Sequence, residues 1–482
     1  MTKEQNDSLK KRYFFKLMSS AVSGGVNVLL IALVPKALGP VAYGQFNFLQ
    51  QMFNQLFSFL DFSSSTALFT KLSANNSRKE LILFYSFLSI FILLVAALFV
   101  ELSVRFDFSS AIFSDVDVCY IYYGLAFGFL TWITQVLVKI SDAYALTVSV
   151  EIVKVIHRVV ALVILLLVIN YLGLNLDSYF QYQLFMLSLF VVALTLIFFN
   201  VKLMNRVTLQ RKIDWRLTTK EFYRFCSPLV VFNIVAISGG MFDVWLLQDV
   251  SGSVEVGFYG LAFSISSMCI IFTSAMTPII MREFSKAIEL GQVAKVKELF
   301  LTYSPKLYFI SAFFCVFIAF NASDFILIFS DERYVDANAV LFILAFYPLH
   351  QTYGQISSAL FFSSEKVVLY RNIGLAVALL GFLFTWLSVG WLELGAIGLA
   401  LKMVIVQFIG VNIQLYYNSK YLNLSFSKLI VQQVGLLPVL VLYSYISKIY
   451  IVESQFLNLF ISGLIYSSLV FFTVLFAMKK FR

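Results

Sequence analysis

Apolar runs of about 20 residues recur from one end of the chain to the other, and they constrain the fold more than any other feature. A run of that length crosses the hydrocarbon core of a bilayer as one α-helix. Among the 482 residues, 60% are hydrophobic and only 13% are charged, whereas soluble domains are about 25% charged. The sequence therefore predicts an all-α polytopic membrane protein.

Fourteen helical spans account for these runs. A helix satisfies its own backbone hydrogen bonds in lipid, whereas a β-barrel would need short alternating segments, which the sequence lacks. The first run has no small-residue cleavage site after it, so we expect a retained span. The predicted spans cover residues 13–36, 43–70, 80–103, 117–139, 147–171, 178–201, 223–248, 255–281, 305–329, 336–364, 367–391, 394–418, 427–450 and 455–478.

The basic residues follow the positive-inside rule. If the N-terminus is cytoplasmic, the segments on that side carry 27 of the 35 Lys and Arg residues, and the opposite loops carry four. The opposite loops carry acids instead. We therefore expect both termini to lie in the cytoplasm. Loop bias also explains the net charge of +9, so the sequence does not favour nucleic acid binding.

Two short turns mark an internal duplication. Residues 39–44 and 252–257 both read G-x-V-x-x-G, lie between apolar runs and are 213 positions apart. Glycine and proline interrupt a helix at such a turn, and duplicated halves are typical of transporters. The predicted organisation is a six-helix bundle at 1–201, a basic cytoplasmic connector at 202–222, a second six-helix bundle at 223–418 and an additional helix pair at 419–482. Residues 285–300 form either a short surface helix or a plain basic connector.

Four stretches stand near the start of the chain: Leu38-Gly39-Pro40, Tyr43-Gly44, Asp61-Phe62-Ser63 and Ala67 to Lys71. Together they resemble the opening of bacterial polysaccharide flippases. These are Wzx-type O-antigen translocases of the multidrug/oligosaccharidyl-lipid/polysaccharide exporter superfamily. Ser63 stands where that family usually has glycine. Further along, Lys220 to Pro228 resembles the entry to the family's second half, and Thr277 to Arg282 resembles the end of its eighth span.

The resemblance implies a fold and a function. It implies two six-helix bundles related by a pseudo-twofold axis around a central cavity, here followed by two extra C-terminal helices. It implies a transporter, not an enzyme. The expected substrate is an undecaprenyl-pyrophosphate-linked oligosaccharide repeat unit, which alternating access would move across the inner membrane. This step would serve O-antigen, and hence lipopolysaccharide, biosynthesis. A polysaccharide polymerase, a chain-length regulator and membrane lipid are the expected partners.

Basic side chains inside spans are candidates for substrate binding because burying a charge in lipid is costly. Glu151, Lys154 and Arg158 share one face of span 5, and Arg158 lies about 16 Å along the helix. We predict that Lys154 and Arg158 line the cavity and bind the pyrophosphate, and that Lys402 of span 12 adds to the positive charge. Alternatively, span 5 begins later and its charges lie at the interface, and Lys402 forms a structural ion pair or reaches water.

A polar stripe on span 2 suggests sugar binding. Asn47, Gln51, Asn54, Ser58, Asp61 and Ser65 recur at helical spacing. The amides of Gln51 and Asn54 suit sugar hydroxyls, since each has donors and an acceptor. The alternative is polar contact between helices.

Three other ionisable residues are candidates for ion coupling. Asp61 and Asp243 could bind a proton or cation, and His350, which follows Pro348, could titrate near neutral pH. Asp243 could also pair with Lys402 or reach outer water, and His350 could be a buried, hydrogen-bonded histidine.

The sequence contains no metal-ligand cluster, no phosphate-binding glycine loop with lysine and no nucleophile–base motif. It therefore predicts no cofactor, metal site or catalytic residue. Two other functions stay open: a multidrug or organic-ion antiporter of the same superfamily, and a membrane glycosyltransferase or O-antigen polymerase. The short outer loops argue against the enzyme, and the basic residues in the spans argue against export of cations.

Overall fold

The structure is a computed structural model and describes residues 9–74, 78, 80–114, 116–144, 146–200, 214–227, 230–448 and 454–480. Every regular element in this part of the chain is helical, as predicted. Eleven of the described helices are long and apolar enough to cross a membrane, so the chain is a multi-pass membrane protein.

The chain divides into two compact units, Met1–Ser253 and Val254–Arg482. The long helix α9, Val230–Ser267, passes from one unit to the other. The first unit otherwise contains α1 Leu9–Asp61, α2 Ser64–Ala74, α3 Glu80–Arg105, α4 Ser109–Ile112, α5 Val118–Ala143, α6 Thr147–Leu167, α7 Leu176–Asn200 and α8 Trp215–Cys226.

The second unit contains nine further helices. They are α10 Ile271–Glu289, α11 Val293–Phe320, α12 Ala322–Phe329, α13 Ala337–Leu344, α14 Tyr347–Ser363, α15 Val367–Thr385, α16 Gly395–Tyr421, α17 Phe426–Ser447 and α18 Gln455–Lys480.

The eleven candidate helices account for thirteen of the fourteen predicted spans. Two of them, within α1 and α9, each contain two predicted spans joined at a bend. The predicted span 336–364 is split into α13 and α14, with Pro348 in the first turn of α14. Proline favours a helix start because its missing N–H would be unpaired there anyway.

Both bends lie at the glycines of the repeated turn. Gly39 has φ 78° and ψ 169°, and Gly252 has φ 78° and ψ 177°. Only glycine reaches this region at low cost. The duplication also appears further along the chain, because α6 and α15 each end in a π-helical turn, at Val168–Leu172 and Trp386–Trp391. Two unrelated pairs of local distortions therefore support an internal repeat.

The connecting segments differ from the sequence prediction in one place. Residues 285–300 form neither of the two predicted alternatives, a separate surface helix or a plain connector, because α10 runs on to Glu289 and α11 begins at Val293. Gly291, with φ +69°, forms the tight turn between them. Residues 202–213 of the predicted connector lie outside the described residues, and the predicted bundle boundaries stay predictions.

Close helix packing positions the polar residues of the first unit. A Cβ atom on Gly124 or Gly128 of α5 would lie 2.6 or 2.7 Å from the side chain of Phe53 in α1. Small residues four apart let two helices approach closely in lipid, where no hydrophobic effect drives them together. This packing fixes the end of α1 against α5.

Candidate functional site

A polar cavity of about 250 Å³ lies in the first unit where α1 ends and α2 begins. Residues of α5 and α9 complete its wall. Most of the lining is hydroxyl, amide or charged, which is unusual among helices that are otherwise apolar. The lining residues are Ser58, Asp61, Ser63, Ser65, Thr66, Trp132, Gln135, Val136, Lys139, Asn233 and Ile237.

Asp61 is the most strongly held of these side chains. Its Oδ1 accepts hydrogen bonds from Ser64 Oγ at 2.9 Å, the Ser65 backbone N–H at 3.1 Å and Tyr85 Oη at 2.7 Å. Its Oδ2 accepts one from Ser65 Oγ at 2.7 Å. Four donors stabilise the carboxylate charge in this buried position. The Asp61 side chain is therefore held in one position at the end of α1.

The backbone turns sharply directly after Asp61. Phe62 and Ser63 have φ values of +44° and +64°, a left-handed conformation that costs a non-glycine residue about 1 kcal/mol or more. This geometry explains why glycine suits position 63 better than serine. The Ser63 hydroxyl has a use, however, because it accepts a hydrogen bond from Asn233 Nδ2 of α9 at 2.8 Å.

Lys139 lies on the opposite wall of the cavity, in α5. Its Nζ donates to Ser65 Oγ at 2.8 Å and, at 3.4 Å, to Thr66 Oγ1. Ser65 therefore connects the ammonium group to the Asp61 carboxylate. Lys139 was not among the predicted site residues, although its apolar neighbours Val138 and Ile140 were a usable signal of burial.

Two other lining groups have capacity for hydrogen bonds. The exposed Gln135 forms no hydrogen bond with another described residue. The Nε1 group of buried Trp132 has no hydrogen-bond partner in the described part of the chain. A small polar molecule or part of a larger one could therefore be bound here by ammonium, amide and hydroxyl groups.

The predicted substrate cations of α6 lie apart along their helix. Lys154 Nζ is 3.6 Å from Oε2 of the buried Glu151, so these two residues form an ion pair. Arg158 Nη1 instead donates to Asn27 Oδ1 of α1 at 2.8 Å. Both basic side chains are only partly buried. A ligand would compete with these contacts, which are weak enough to exchange.

The predicted sugar-binding amides are available for a ligand. Gln51 and Asn54 are half-buried in α1, and neither amide forms a hydrogen bond with another described residue. Asp243, the second predicted coupling acid, is buried in α9. The roles of these three residues stay predictions.

The predicted residues of the second unit are enclosed. Lys402 in α16 is 8% exposed, and a Cβ atom on Gly381 of α15 would lie 3.3 Å from its Cε. The ring of His350 packs edge-on against Phe408, with 4.9 Å between the ring centroids. In the described residues no group of three or more His, Cys, Asp or Glu side chains could hold a metal ion.

The fold resembles those of known membrane transporters. Against the lipid II flippase MurJ in an inward closed conformation, the TM-score is 0.72 at 14% identity, covering 98% of this chain and 100% of that chain. The TM-score is 0.66 against the inward-facing conformation of a multidrug resistance MATE-family transporter of the MOP superfamily. The identity is 15%, and the match covers 86% of this chain and 98% of the other.

The outward-facing conformation of a MATE-family transporter gives a TM-score of 0.58 at 18% identity, over 89% of this chain and 100% of that one. No protein-family model and no curated protein matches the sequence. At these identities the similarity concerns the fold alone. The fold is thus one that occurs in MOP-superfamily transporters, including a flippase.

Proposed function

We propose that this chain is a transporter of the MOP superfamily that flips a lipid-linked oligosaccharide. The observation that carries the proposal is the fold similarity to a lipid II flippase over nearly the whole of both chains. A flippase also suits the polar groups described above, because its substrate combines charge and sugar hydroxyls.

The charge of the spans favours an anionic substrate. Lys139, Lys154, Arg158 and Lys402 all lie within helices of membrane-spanning length and composition. Charged side chains in such helices commonly mark substrate or ion pathways. Arginine suits phosphate oxygens because its planar fork can donate two parallel hydrogen bonds. The pyrophosphate of an undecaprenyl carrier is therefore the proposed group bound by Lys154 and Arg158, with Lys402 contributing charge.

The finer assignments rest on the sequence resemblance. The proposed cargo is an O-antigen repeat unit, and the proposed location is a bacterial inner membrane with both termini in the cytoplasm. A polysaccharide polymerase and a chain-length regulator are the proposed partners. Gln51 and Asn54 are proposed to bind sugar hydroxyls, and Asp61, Asp243 and His350 are proposed to bind the coupling ion. Because the His350 ring packs against Phe408, Asp61 and Asp243 are the favoured coupling residues.

The second candidate function is multidrug export, because MATE-family transporters share the fold. Competition distinguishes the two. Purified protein should bind an undecaprenyl-diphosphate-linked oligosaccharide, and lipophilic drug cations should not displace it. The double variant Lys154→Gln/Arg158→Gln should lose this binding, whereas Lys286→Gln/Lys295→Gln, which removes two exposed basic residues elsewhere, should keep it. Binding of drug cations that is unchanged in the double variant, with no binding of the lipid-linked sugar, would favour export.

In cells, deletion of the gene should leave lipid-linked repeat units on the inner leaflet. Normal exposure of these units on the outer leaflet, in a strain without a second flippase, would contradict the proposal. Polymerisation of sugars by the purified protein would instead support the function of a membrane glycosyltransferase or O-antigen polymerase.

A further inference from the structure

Helix α8 is fixed to the first unit by one face. Its buried residues Thr218 and Phe222 point inward, and the Phe222 ring lies 5.1 Å from that of Phe84 in α3. Glu221 Oε2 binds both Lys71 Nζ and Arg78 Nη1 at 3.0 Å. The helix is therefore held in one orientation before any ligand binds.

The opposite face of α8 is basic and aromatic. Trp215, Arg216, Thr219, Lys220 and Tyr223 line an open groove of about 670 Å³, which we call the α8 basic face. The five residues follow helical spacing, so they lie on one side of the helix. No carboxylate is among the described residues that line the groove.

The two cations of the α8 basic face are available for a ligand. Neither Arg216 nor Lys220 forms an ion pair with a described carboxylate. The nearest acid in sequence, Glu221, is already neutralised by Lys71 and Arg78. Asp214 accepts a hydrogen bond from the Leu217 backbone N–H and thereby caps the helix. The groove therefore carries net positive charge.

The position of α8 places the groove at the edge of the bilayer. The Trp215 ring lies 5.5 Å from the rings of both Phe84 and Phe87. These residues lie about 6 and 10 Å from the start of α3, which is a candidate membrane span. Exposed tryptophan and tyrosine occur at the level of lipid headgroups, and Trp215 and Tyr223 are 48% and 72% exposed.

We propose that the α8 basic face binds the phosphate of an anionic phospholipid. Arg216 would bind phosphate oxygens through its fork, and Lys220 and Thr219 would add a charge and a hydroxyl donor. The two aromatic rings would contact the glycerol and upper acyl chain. A zwitterionic lipid binds less well because its own cation opposes the positive groove. This surface lies outside the proposed substrate site and does not depend on the proposed function.

The test measures lipid binding by the full-length protein in detergent. Fluorescent phosphatidylglycerol is titrated into the wild type and into the double variant Arg216→Gln/Lys220→Gln. Each basic residue near an anionic surface adds to the free energy of lipid binding. Removing two of them should therefore weaken the affinity roughly 30-fold. The matched control is Lys286→Gln/Lys295→Gln, which removes two exposed basic residues elsewhere with the same change of net charge. Its affinity should equal that of the wild type.

Other outcomes would overturn the proposal. Equal loss in both double variants would mean a general charge effect, and equal affinity for phosphatidylcholine would exclude recognition of net charge. Complete displacement by inorganic phosphate would mean a site for a soluble anion. If the double variant does not fold, Arg216→Lys, which keeps the charge but loses the fork, should bind more weakly than the wild type. Unchanged affinity in that variant would refute the role of Arg216.

Discussion

Replacing Asp61 tests whether its carboxylate holds the end of α1 in place. Asp61→Asn keeps the shape and removes the charge, and Asp61→Ala removes every acceptor. In the asparagine variant, the amide oxygen can still accept from Ser64, Tyr85 and the Ser65 N–H. The amide nitrogen would face Ser65 Oγ, which donates to Asp61 Oδ2 and already accepts from Lys139.

The magnitudes follow from the four hydrogen bonds. A hydrogen bond to a charged group contributes about 1.5–3 kcal/mol and a neutral one about 0.5–1.5 kcal/mol. Asp61→Asn loses one hydrogen bond and weakens three, but its neutral amide is easier to bury than a carboxylate. The net destabilisation should be about 2–4 kcal/mol. Asp61→Ala should cost about 4–6 kcal/mol because it leaves several buried donors without an acceptor.

Thermal unfolding of the purified variants in detergent, followed by intrinsic fluorescence, measures these effects. Tyr85→Phe should cost about 1–2 kcal/mol, since it removes one donor to a charged acceptor. Combined with Asp61→Asn it should cost less than the sum, because both changes affect the same bond. Ser58→Ala lines the same cavity without bonding Asp61 and serves as the control. Wild-type stability of Asp61→Ala, or strict additivity with Tyr85→Phe, would refute the reasoning.

Three smaller changes test local features by the same unfolding assay. Ser63→Gly should be more stable than Ser63→Ala by about 1 kcal/mol, because both lose the contact with Asn233 but only glycine relieves the positive φ. Equal stability of the two variants would mean that the backbone at position 63 is not strained. Gly252→Ala should cost about 1–3 kcal/mol from its backbone angles, whereas Gly24→Ala, which meets no atom within 4 Å, should cost none. Burial opposes ionisation of Glu221, but hydrogen bonds from two basic partners outweigh it and lower its pKa below 4.5. Its contribution to stability is therefore present above pH 4.5 and lost as the pH falls through the lowered value, and Glu221→Gln should remove this part of the acid sensitivity.

The sequence predicted the helical class, the number of spans and the repeated turn because these depend on local properties. Run length and composition define a span, and glycine spacing marks a bend. The sequence did not predict that α10 and α11 extend into the loop between them. The polar residues in that loop suit an exposed helix, a surface helix and a connector equally, and only the turn at Gly291 distinguishes them.

The candidate site was less predictable because its contacts join distant segments. Helical spacing placed Asp61 and Ser65 on one face of a continuous span; the two residues do touch, but across the break at Phe62 and Ser63 and not within one helix. The partners Tyr85, Lys139 and Asn233 come from three other helices, and a single sequence carries no information on which helices pack together. Arg158 shows the same limit. Its position along the helix could be read from the sequence, but its hydrogen-bond partner Asn27 on another helix could not.

Translocation in vesicles tests the claim that this chain moves an anionic lipid-linked oligosaccharide across a bilayer. Purified protein is reconstituted with a fluorescent undecaprenyl-diphosphate-linked oligosaccharide, and a membrane-impermeant quencher reports the label that leaves the inner leaflet. We expect rapid exchange with the wild type, little exchange with Lys154→Gln/Arg158→Gln, and an exchange rate that responds to an imposed ion gradient. Exchange no faster than in protein-free vesicles, under every gradient, would contradict the claim.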